Sequence, residues 1–477
     1  MSTVPQVTDD RWFFGHPKGL AYLAFTEAWE RFSYYGMLAL LTLYMTKQLL
    51  LPGHMEHIAG IEVARAFFDR VYGGGRTLTV VALASSIWAF YSSTVYLTPL
   101  LGGLLADRVL GRTRTVVLGA CLMALGHFLM AFEVSFLLAL ACLVLGAGCL
   151  KGNLAAQVGG LYGPTDKRRA DAFQIYLIAI NIGVIFGPMV TGALGQGIAW
   201  HYGFGVAGIG MLLSLVIYLS GRRRLPPDPP VGAKARAAGA RVAITPREWR
   251  VVLLLVALLP VLALSVVANN QIQNVYPLWA DSNADLHVFG LSILSSQLLS
   301  VDSFVSVVTM ALMVWFWRVW AKRLPEPDEL GKIAIGCAFS AAGAACLALG
   351  QSLAEAGGHK VAFSWLLLFH LLNDIGFANV FPVGLALYSR AAPRSMTGFI
   401  VAVYYLHMWL GNNLVGILGG RLDKMDGVAF WMMHATIVGA ACVGFIVVKL
   451  LFGRWLRGEP AFPDIITIAA ADAGETP

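Results

Sequence analysis

Apolar runs long enough to cross a lipid bilayer recur along almost the whole chain, and no other feature limits the fold as strongly. A membrane-spanning helix needs about 20 predominantly apolar residues. The sequence predicts twelve such helices, at residues 19–46, 77–101, 113–132, 134–160, 171–194, 203–220, 250–279, 289–317, 331–353, 361–390, 396–420 and 428–452. We therefore expect an all-α membrane protein.

The amino-acid composition agrees with a protein whose outer surface is largely covered by lipid. Hydrophobic residues make up 58% of the 477 residues and charged residues 13%, whereas an ordinary globular protein is about one quarter charged. A soluble chain of this length would need a more charged surface. The composition therefore argues against a soluble protein and predicts no separate soluble domain.

A basic segment at residues 221–249 divides the predicted helices into two groups of six. It is rich in proline and alanine and too short to cross the bilayer twice. Two six-helix bundles with a polar linker between them form the layout of major-facilitator transporters. We expect an N-terminal bundle at residues 1–220, a cytoplasmic linker at 221–249, and a C-terminal bundle with a short cytoplasmic tail at 250–477.

The distribution of lysine and arginine predicts the orientation in the membrane. Cytoplasmic loops of membrane proteins carry an excess of these residues. Most of the 34 lysine and arginine residues fall in segments that share a side with the 221–249 linker. We expect both termini to be cytoplasmic in a plasma membrane, the inner membrane if the host is a bacterium. Topology then explains the net charge of +7, and no nucleic-acid partner is expected.

Charged side chains interrupt the first predicted helix, in the sequence FTEAWERFSYYGM. Glu30 and Arg31 follow Glu27 by three and four residues, so the three side chains share one helix face, on which Tyr34 also lies. Because charge inside a membrane span is costly, it indicates function. Arg31 can keep one carboxylate ionised while burial favours the protonated form of the other, which predicts a proton-coupling site. The alternative is a buried ion pair that only orients the helix.

Lys151 is a second cation inside a predicted span, in the sequence LGAGCLKGNLAAQVGGLY. The glycines around it permit close approach of a neighbouring helix. We predict that Lys151 pairs with a carboxylate of the first helix or with an anionic group of a substrate. A lysine that extends to the membrane surface is the less favoured alternative, because apolar residues flank it on both sides.

The run GGLLADRVLGRTR at residues 102–114 joins the second and third predicted helices. Its glycines, its acid and its basic residues in a tight cytoplasmic loop are typical of a gate that packs when it is closed. The predicted gating residues are Gly103, Asp107, Arg108 and Arg112.

The sequence predicts no metal site, no cofactor and no enzyme. All six cysteines lie in apolar segments without a CxxC spacing, as expected of small core residues. His54 and His57 in the motif HMEH offer two ligands without a third, so we interpret them as part of a solvated loop. The spans also lack an HExxH set or a nucleophile with a neighbouring base, which disfavours a membrane-embedded enzyme or receptor.

These segments together resemble the proton-coupled oligopeptide transporter family of the major facilitator superfamily. The similarity is strongest at ExxERFSYYGM (27–37) and continues through GGLLADRVLGR, the Lys151 segment and INIGVIFGP (180–188). It includes NQIQNVYPLWAD (270–281) and LGNNLVG (410–416) in the second half. The resemblance covers nearly the whole chain, closely in the N-terminal half and loosely in the C-terminal half.

The resemblance implies a secondary active transporter that carries short peptides with protons by alternating access. The proton-coupling roles of the family fall on Glu27, Glu30, Arg31 and Lys151. The predicted substrate-binding positions are Arg31, Tyr34, Tyr35, Tyr91, Lys151, Asn181, Asn270, Gln271, Asn274, Asp374, Phe377 and Tyr404.

The sequence departs from the family at a contact between the first and seventh helices. The family commonly has an arginine after YYGM and a glutamate before the glutamine of the seventh helix, where this chain has Leu38 and Asn270. Losing one partner of a buried ion pair costs about 3–5 kcal/mol, whereas losing both can be nearly neutral. The paired loss is therefore consistent, and it removes a contact of the family's outer gate.

Phe377 stands where the family has a glutamate that receives the peptide amino group. An ammonium without a counter-ion in a dry site is strongly disfavoured. Either another acid, Asp374 or Asp302, takes this role or the substrate lacks a free α-amine. His370 lies four residues before Asp374 and is a candidate for a proton relay, although a hydrogen-bonded core histidine is the favoured interpretation.

The leading prediction is a proton-driven importer of di- or tripeptides or of peptide-like carboxylates. The alternative is a different small substrate, such as an amine-capped peptide, an organic anion or nitrate, moved inward or outward. We expect the protein to act as a monomer whose partners are its substrate, protons and the lipid bilayer.

Overall fold

The described part of the protein is almost entirely helical in a computed structural model. The structure describes residues 11–163, 166–228, 245–288, 290–393 and 396–457. Most of the predicted linker, at 229–244, and the predicted tail at 458–477 lie outside the described residues.

Most of the long helices follow the predicted spans. Those of the N-terminal half are α1 (Lys18–Tyr44), α2 (Ile61–Val71), α3 (Val80–Leu105), α4 (Arg112–Leu129), α5 (Phe136–Gly160), α6 (Arg168–Gly195) and α7 (Trp200–Gly221). Those of the C-terminal half are α8 (Pro246–Ser265), α9 (Val267–Asn270), α10 (Tyr276–Asn283), α11 (Leu298–Trp320), α12 (Glu329–Gly357), α13 (Phe363–Ala391), α14 (Thr397–Gly419) and α15 (Gly427–Arg457).

Ten helices in the described part of the chain are long and apolar enough to cross a membrane. The long helices α1 and α4 do not reach the same apolarity, because α1 contains Glu27, Glu30 and Arg31 and α4 begins at Arg112. The prediction of an all-α membrane protein is confirmed, and the count of twelve spans stays a prediction.

The seventh predicted span, 250–279, is wrong as a single helix. It consists of α8, the short α9, a 3₁₀ turn at Gln271–Gln273 and α10. The helix is interrupted at Asn274, whose φ of −116° and ψ of −99° are not helical. The polar run NNQIQN causes the break, since its side chains bond to other helices, as described below. Pro277 then starts α10 in its first turn, where no backbone N–H is needed.

The eighth predicted span, 289–317, begins too early. A two-stranded antiparallel hairpin of β1 (His287–Val288) and β2 (Leu291–Ser292) precedes it. A 3₁₀ turn at Ser295–Gln297 follows the hairpin, and α11 starts only at Leu298. The apolar residues of this segment therefore belong to the hairpin and the turn and not to the helix.

Glycines of α6 bring its backbone into direct contact with α1. A methyl group on Gly183 would lie 2.2 Å from the carbonyl oxygen of Ala28, and one on Gly187 would lie 2.5 Å from that of Phe32. The two glycines are four residues apart, as in the small-xxx-small pattern that lets membrane helices pack closely. This contact holds in place the face of α1 that bears the charged residues.

The buried apolar side chains form separate clusters in the two halves. One cluster extends over α1 to α7 and includes Val267 and Val415 of the other half, and a second extends over α8 and α12 to α15. A third surrounds α10 and the adjoining ends of α11 to α13 and α15, and it includes Ala39 of α1. Each half therefore has its own core, and the third cluster bridges them.

Candidate functional site

Glu27 is the best-satisfied carboxylate of the α1 cluster. Arg31 donates from Nε and Nη2 to Glu27 Oε1, at 2.8 and 2.6 Å. The hydroxyl of Tyr176, on α6, donates to Glu27 Oε2 at 2.6 Å. Three donors around a buried carboxylate stabilise its ionised form. The predicted ion pair thus exists, and it has a third member that spacing along α1 did not indicate.

Glu30 lies in a very different environment on the same helix face. Its side chain is buried, and no group in the described residues donates a hydrogen bond to either of its oxygens. Arg31 Nε lies 3.0 Å from Glu30 Oε2, but its hydrogen points to Glu27. A buried carboxylate without donors favours its neutral, protonated form. The two acids of the motif are therefore not equivalent.

Lys151 lies against an aromatic group instead of a carboxylate. Its Nζ is 4.2 Å from the centre of the Tyr34 ring, and this ring stacks on Tyr91 with a centroid distance of 6.4 Å. Tyr35 meets Tyr34 edge to face at 5.1 Å. Within the described residues Lys151 forms no ion pair, so its ammonium is free to receive an anion. Four predicted site residues from α1, α3 and α5 are thereby brought together.

The predicted amides of the seventh span are engaged with other helices. Asn270 donates to the side-chain oxygen of Asn412 at 2.7 Å, and Gln271 donates to the carbonyl of Val415 at 3.1 Å. Asn274 donates to Ser85 Oγ at 2.7 Å. Since all three amides are buried and bonded in this way, they hold α14 and α3 against the break in the seventh span.

Leu38 and Asn270, which stand at the positions of the family's ion pair, fit the structure without a stranded charge. Leu38 is buried in the apolar cluster of the N-terminal half. Asn270 has a neutral partner in Asn412. An apolar side chain on one helix and a satisfied amide on the other agree with the predicted paired loss.

On α13, Phe377 lies flat on Phe381, with ring centroids 5.3 Å apart and planes at 11°. Asp374, one turn earlier, is buried, and its Oδ2 has no hydrogen-bond partner in the described residues. Tyr404 donates to the carbonyl of Phe381 at 2.7 Å and is buried. Phe377 and Tyr404 thus form an aromatic wall, and Asp374 is the acid nearest to Phe377 along the helix.

Asn181 of α6 donates from its side-chain amide to the carbonyl of Leu177 in the same helix, at 2.8 Å.

Among the predicted gating residues, Gly103 has open space around it, so its role does not depend on close packing here. Asp107 and Arg108 lie in a π-helical turn at Ala106–Leu110. Arg112 begins α4.

The gating loop contacts the start of the predicted linker. Gly111 adopts a positive φ of 78° before α4. Both carboxylate oxygens of Asp228 accept from the backbone N–H of Thr113, at 3.2 and 3.0 Å, and Oδ1 also accepts from its hydroxyl at 3.1 Å. Asp228 is therefore an additional residue of this region, which its isolated position in a proline-rich stretch did not reveal.

A contact between the two halves was missed altogether in the sequence. Asp281, at the end of α10, pairs with Lys47, just beyond α1. It also accepts from Gln196 at 3.1 Å and from Ser295 at 2.8 Å. Burial alone would favour the neutral acid, but the hydrogen bonds from Lys47, Ser295 and Gln196 hold the pKa of Asp281 below its ordinary value. We call the end of the molecule that carries this contact and α2 the α2 end.

Further hydrogen bonds join the halves at the α2 end. Tyr72 donates to Asn413 at 2.5 Å, and Ser85 donates to the carbonyl of Gly416 at 2.9 Å. Gln196 accepts from the backbone N–H of Ser296 at 3.0 Å. The two halves are thus held together at the α2 end by several independent contacts.

His54 and His57 lie beside one acid in a loop. His54 Nδ1 is 2.7 Å from Glu133 Oε1, and His57 Nδ1 is 3.6 Å from Glu133 Oε2. Both histidines are well exposed, as expected of a solvated loop, and the described residues place no third ligand beside them.

Comparisons with known proteins place the chain among transporters of one family. A family model described as the POT family matches residues 113–246 and 246–432. The peptide transporter YePEPT of Yersinia enterocolitica is 28% identical over 94% of this chain and 97% of its own length. A di-/tripeptide transporter of Lactococcus lactis subsp. cremoris is 29% identical over 83% of this chain and 88% of its own length.

Solved structures show the same architecture. A peptide transporter POT in complex with sulfate has a TM-score of 0.77 and 26% identity, over 93% of this chain and 96% of that chain. A mutant of peptide transporter POT in complex with alafosfalin has a TM-score of 0.78, over 94% of this chain and 98% of that chain. The predicted major-facilitator fold and the resemblance that the motifs carried are both confirmed.

Proposed function

Because the chain belongs to the POT family, we propose that it is a secondary active transporter that moves di- or tripeptides, or peptide-like carboxylates, together with protons. The relatives whose names state a substrate are peptide transporters, and a structural relative has bound alafosfalin. Their extensive coverage of this chain supports a transporter and not an enzyme.

The unequal environment of the two α1 carboxylates is the observation that carries the proposal. Glu27 accepts three hydrogen bonds, two from Arg31 and one from Tyr176, while Glu30 has no hydrogen-bond donor in the described residues. A site that must bind and release a proton needs one group that changes charge and one that holds its charge. Glu30 suits the first role, and Glu27 with Arg31 suits the second.

Protonation of Glu30 changes the local charge in the direction that symport requires. With both acids ionised, Glu27, Glu30 and Arg31 sum to one negative charge. A proton on Glu30 leaves a neutral group, and Lys151 nearby then makes the site positive. A substrate carboxylate is attracted to that positive site and repelled by the deprotonated one, so proton and substrate bind together.

In this proposal the substrate site lies between the rings of Tyr34, Tyr35 and Tyr91 on one side and the aromatic wall of Phe377 and Tyr404 on the other. Arg31 and Lys151 supply positive charge for the carboxyl end of the substrate, with Tyr34, Tyr35 and Tyr91 around them. In this proposal Asn181, Asn270, Gln271, Asn274 and Tyr404 surround the rest of the substrate in other stages of the cycle. Asp374 offers the negative charge for an amino group.

The contacts between the halves support alternating access. The α2 end is closed by the Lys47–Asp281 pair and its neighbours. If the α2 end faces outward, as the loop charges indicate, this arrangement is closed to the outside. We propose that the bundles 1–220 and 250–477 rock about the site while the linker at 221–249 joins them in the cytoplasm, and that the protein acts as a monomer in the plasma membrane.

Uptake into liposomes tests the proposal. With the purified protein in vesicles that are alkaline inside, dialanine should accumulate above its outside concentration, and a protonophore should abolish this accumulation. Arg31→Lys is the matched control for the role of Arg31. It keeps the positive charge but removes the two hydrogen bonds that Nε and Nη2 of Arg31 donate to Glu27. Absence of transport of both dialanine and its N-acetylated form would exclude peptides as substrates.

A second candidate substrate class is favoured by one observation, the stacking of Phe377 on Phe381. This apolar surface replaces the family's amine-binding acid. An amine-capped peptide or another small organic anion has no ammonium group, so it would lose no interaction at this position. Faster uptake of N-acetyl-dialanine than of dialanine would select this class.

A further inference from the structure

His370 joins three helices of the C-terminal half through both nitrogens of its ring. From α13, its Nδ1 lies 2.8 Å from Asp302 Oδ1 on α11, and its Nε2 lies 3.0 Å from the hydroxyl of Tyr276 on α10. The imidazole is completely buried. A tyrosine hydroxyl can donate or accept, so both contacts persist whether the ring is neutral or protonated. This is the arrangement of a proton-binding group.

The surroundings of His370 are acidic, and among the described residues no lysine or arginine pairs with them. Asp374 follows it by one turn of α13, is buried, and interacts with Asp302 as one negative charge with another. Asn373 has two buried polar atoms without partners in the described residues. His434 of α15 is turned to Gln271, at 3.0 Å, and the hydroxyl of Ser340 on α12 donates to the carbonyl of Asn373 at 3.4 Å.

The described residues give no lysine or arginine ion pair to Asp302, Asp374 or His370. With both acids ionised and the imidazole neutral, this buried cluster would carry two negative charges. Burying like charges together without a cation is costly, so the cluster retains protons when it is shielded from water.

Tyr276 connects this cluster to the contact between the halves. It is the first residue of α10, and Asp281, five residues later on the same short helix, pairs with Lys47. At a rise of about 1.5 Å per residue the two positions are separated by roughly 7.5 Å along the axis. Tyr276 also packs against Trp279 of α10 and Trp431 of α15, so its ring is fixed to both helices.

We propose that Asp302, His370 and Tyr276, with Asp374, form a second proton site that couples proton binding to closure of the α2 end through α10. The inference extends the proposed proton-driven transport and rests on it only for the direction of the cycle. Asp302 and His370 hold the proton, Asp374 adds its negative charge to the cluster, and Tyr276 is a positioning residue.

The sign of the coupling follows from burial. Opening of the α2 end admits water to the cluster and makes its charged form less costly, while closure removes that water. The closed state therefore binds the proton more tightly than the open state. By linkage, the binding of a proton from the α2 side favours the closed state by the same factor by which closure strengthens proton binding.

Charge movement without substrate tests the proton site directly. Proteoliposomes that carry the full chain are given a jump in outside pH, and the transient charge displacement is recorded. In a Glu30→Gln background, which silences the α1 site, displacement should persist. Adding His370→Gln or Asp302→Asn should remove most of it. His127→Gln in the same background is the matched control, because His127 is buried without any hydrogen-bond partner in the described residues and its loss should change nothing.

A distance measurement tests the coupling to the α2 end. Spin labels at Val63→Cys and Leu291→Cys, both exposed in the wild type, report closure as the pH is lowered, with the exposed Cys121 replaced by serine. Tyr276→Phe should retain the charge displacement but shift the pH midpoint of closure by about one unit, a tenfold change in apparent proton affinity.

Full charge displacement in the Glu30→Gln/His370→Gln protein, or an unchanged closure midpoint in Tyr276→Phe, would overturn the inference. Neither measurement contains a substrate. Failure of the peptide assignment would therefore leave both results unaffected, and the two proposals can fail separately.

Discussion

Arg31 places two of its nitrogens on a single oxygen of Glu27, at 2.8 and 2.6 Å. The other oxygen of Glu27 is left for Tyr176, which donates at 2.6 Å. This geometry commits Nε and Nη2 of Arg31 to Glu27 and leaves Glu30 without a hydrogen bond from any of the described residues. The two acids of the motif thus have different hydrogen bonding because the guanidinium of Arg31 points to Glu27 and not to Glu30.

Replacement of either α1 acid by glutamine should abolish accumulation driven by the proton gradient and retain part of the exchange of substrate across the membrane.

The two variants should differ in stability. Glu27→Gln leaves Arg31 and Tyr176 with a weaker acceptor and should destabilise the protein by about 2–4 kcal/mol, because it breaks a buried pair. Glu30→Gln loses no hydrogen bond and should be close to neutral. Uptake, counterflow and thermal unfolding in detergent measure these differences.

Persistent accumulation in both variants would place coupling outside α1. Equal loss of stability in both would contradict the asymmetry. Tyr176→Phe is the matched control, since it removes one donor to Glu27 without changing any charge, and we expect it to lower stability by about 1 kcal/mol.

The charged face of α1 was predictable because its members are three and four residues apart, and local spacing fixes which side chains share a helix face. Tyr176 was not, because its partner Glu27 lies 149 residues away and nothing local identifies such a pair. The same holds for His370 and Asp302, 68 residues apart. The sequence showed His370 beside Asp374 on one helix, and so the relay partner on α11 was only one of several candidates.

The break in the seventh span has a similar explanation. Apolar length predicted one helix over 250–279, but Asn270, Gln271 and Asn274 bond to α14 and α3, and these tertiary contacts outweigh the local preference. The division into two halves is predicted from the linker, which interrupts the apolar pattern, and it stays a prediction. The Lys47–Asp281 contact was not visible, since each residue alone is an ordinary charge at the end of a span.

The Lys47–Asp281 pair should make closure of the α2 end dependent on outside pH. The pKa of Asp281 is lowered in the closed state, so the stabilisation from this pair is present above the ordinary pKa of an aspartate and is lost as the pH falls through the lowered value. Lys47→Ala should shift this loss to higher pH, and Lys47→Arg should retain the charge and the closure. The distance between labels at the α2 end measures both.

This dependence is opposite in sign to that of the His370 cluster, where acidification favours closure. Opening on mild acidification in the wild type, at a pH well above the ordinary pKa of an aspartate, would contradict the role given to Asp281.

The contact of α6 with α1 should be sensitive to a single methyl group. Gly183→Ala places a carbon 2.2 Å from the carbonyl of Ala28, so the helices must separate, at a cost of about 1–3 kcal/mol. Gly205→Ala on α7 is the matched control, because its added methyl group meets open space. Thermal unfolding in detergent compares the two variants. Equal midpoints would show that α1 does not depend on this approach.

Restoring an acid on α13 should change substrate preference. Phe377→Glu places a carboxylate one turn from Asp374, in a region that has an apolar wall in the wild type. If Asp374 already receives the amino group, the added charge brings little benefit to dialanine. If no acid does so, uptake of dialanine should rise at least tenfold relative to its N-acetylated form, because a desolvated ammonium gains a counter-ion worth more than about 1.4 kcal/mol.

Asp374→Asn separates these outcomes in the wild-type background. Loss of dialanine uptake with retained uptake of the N-acetylated form would assign amine recognition to Asp374. An equal decrease for both substrates would instead assign Asp374 to the proton cluster around His370, because a proton site acts on every substrate alike.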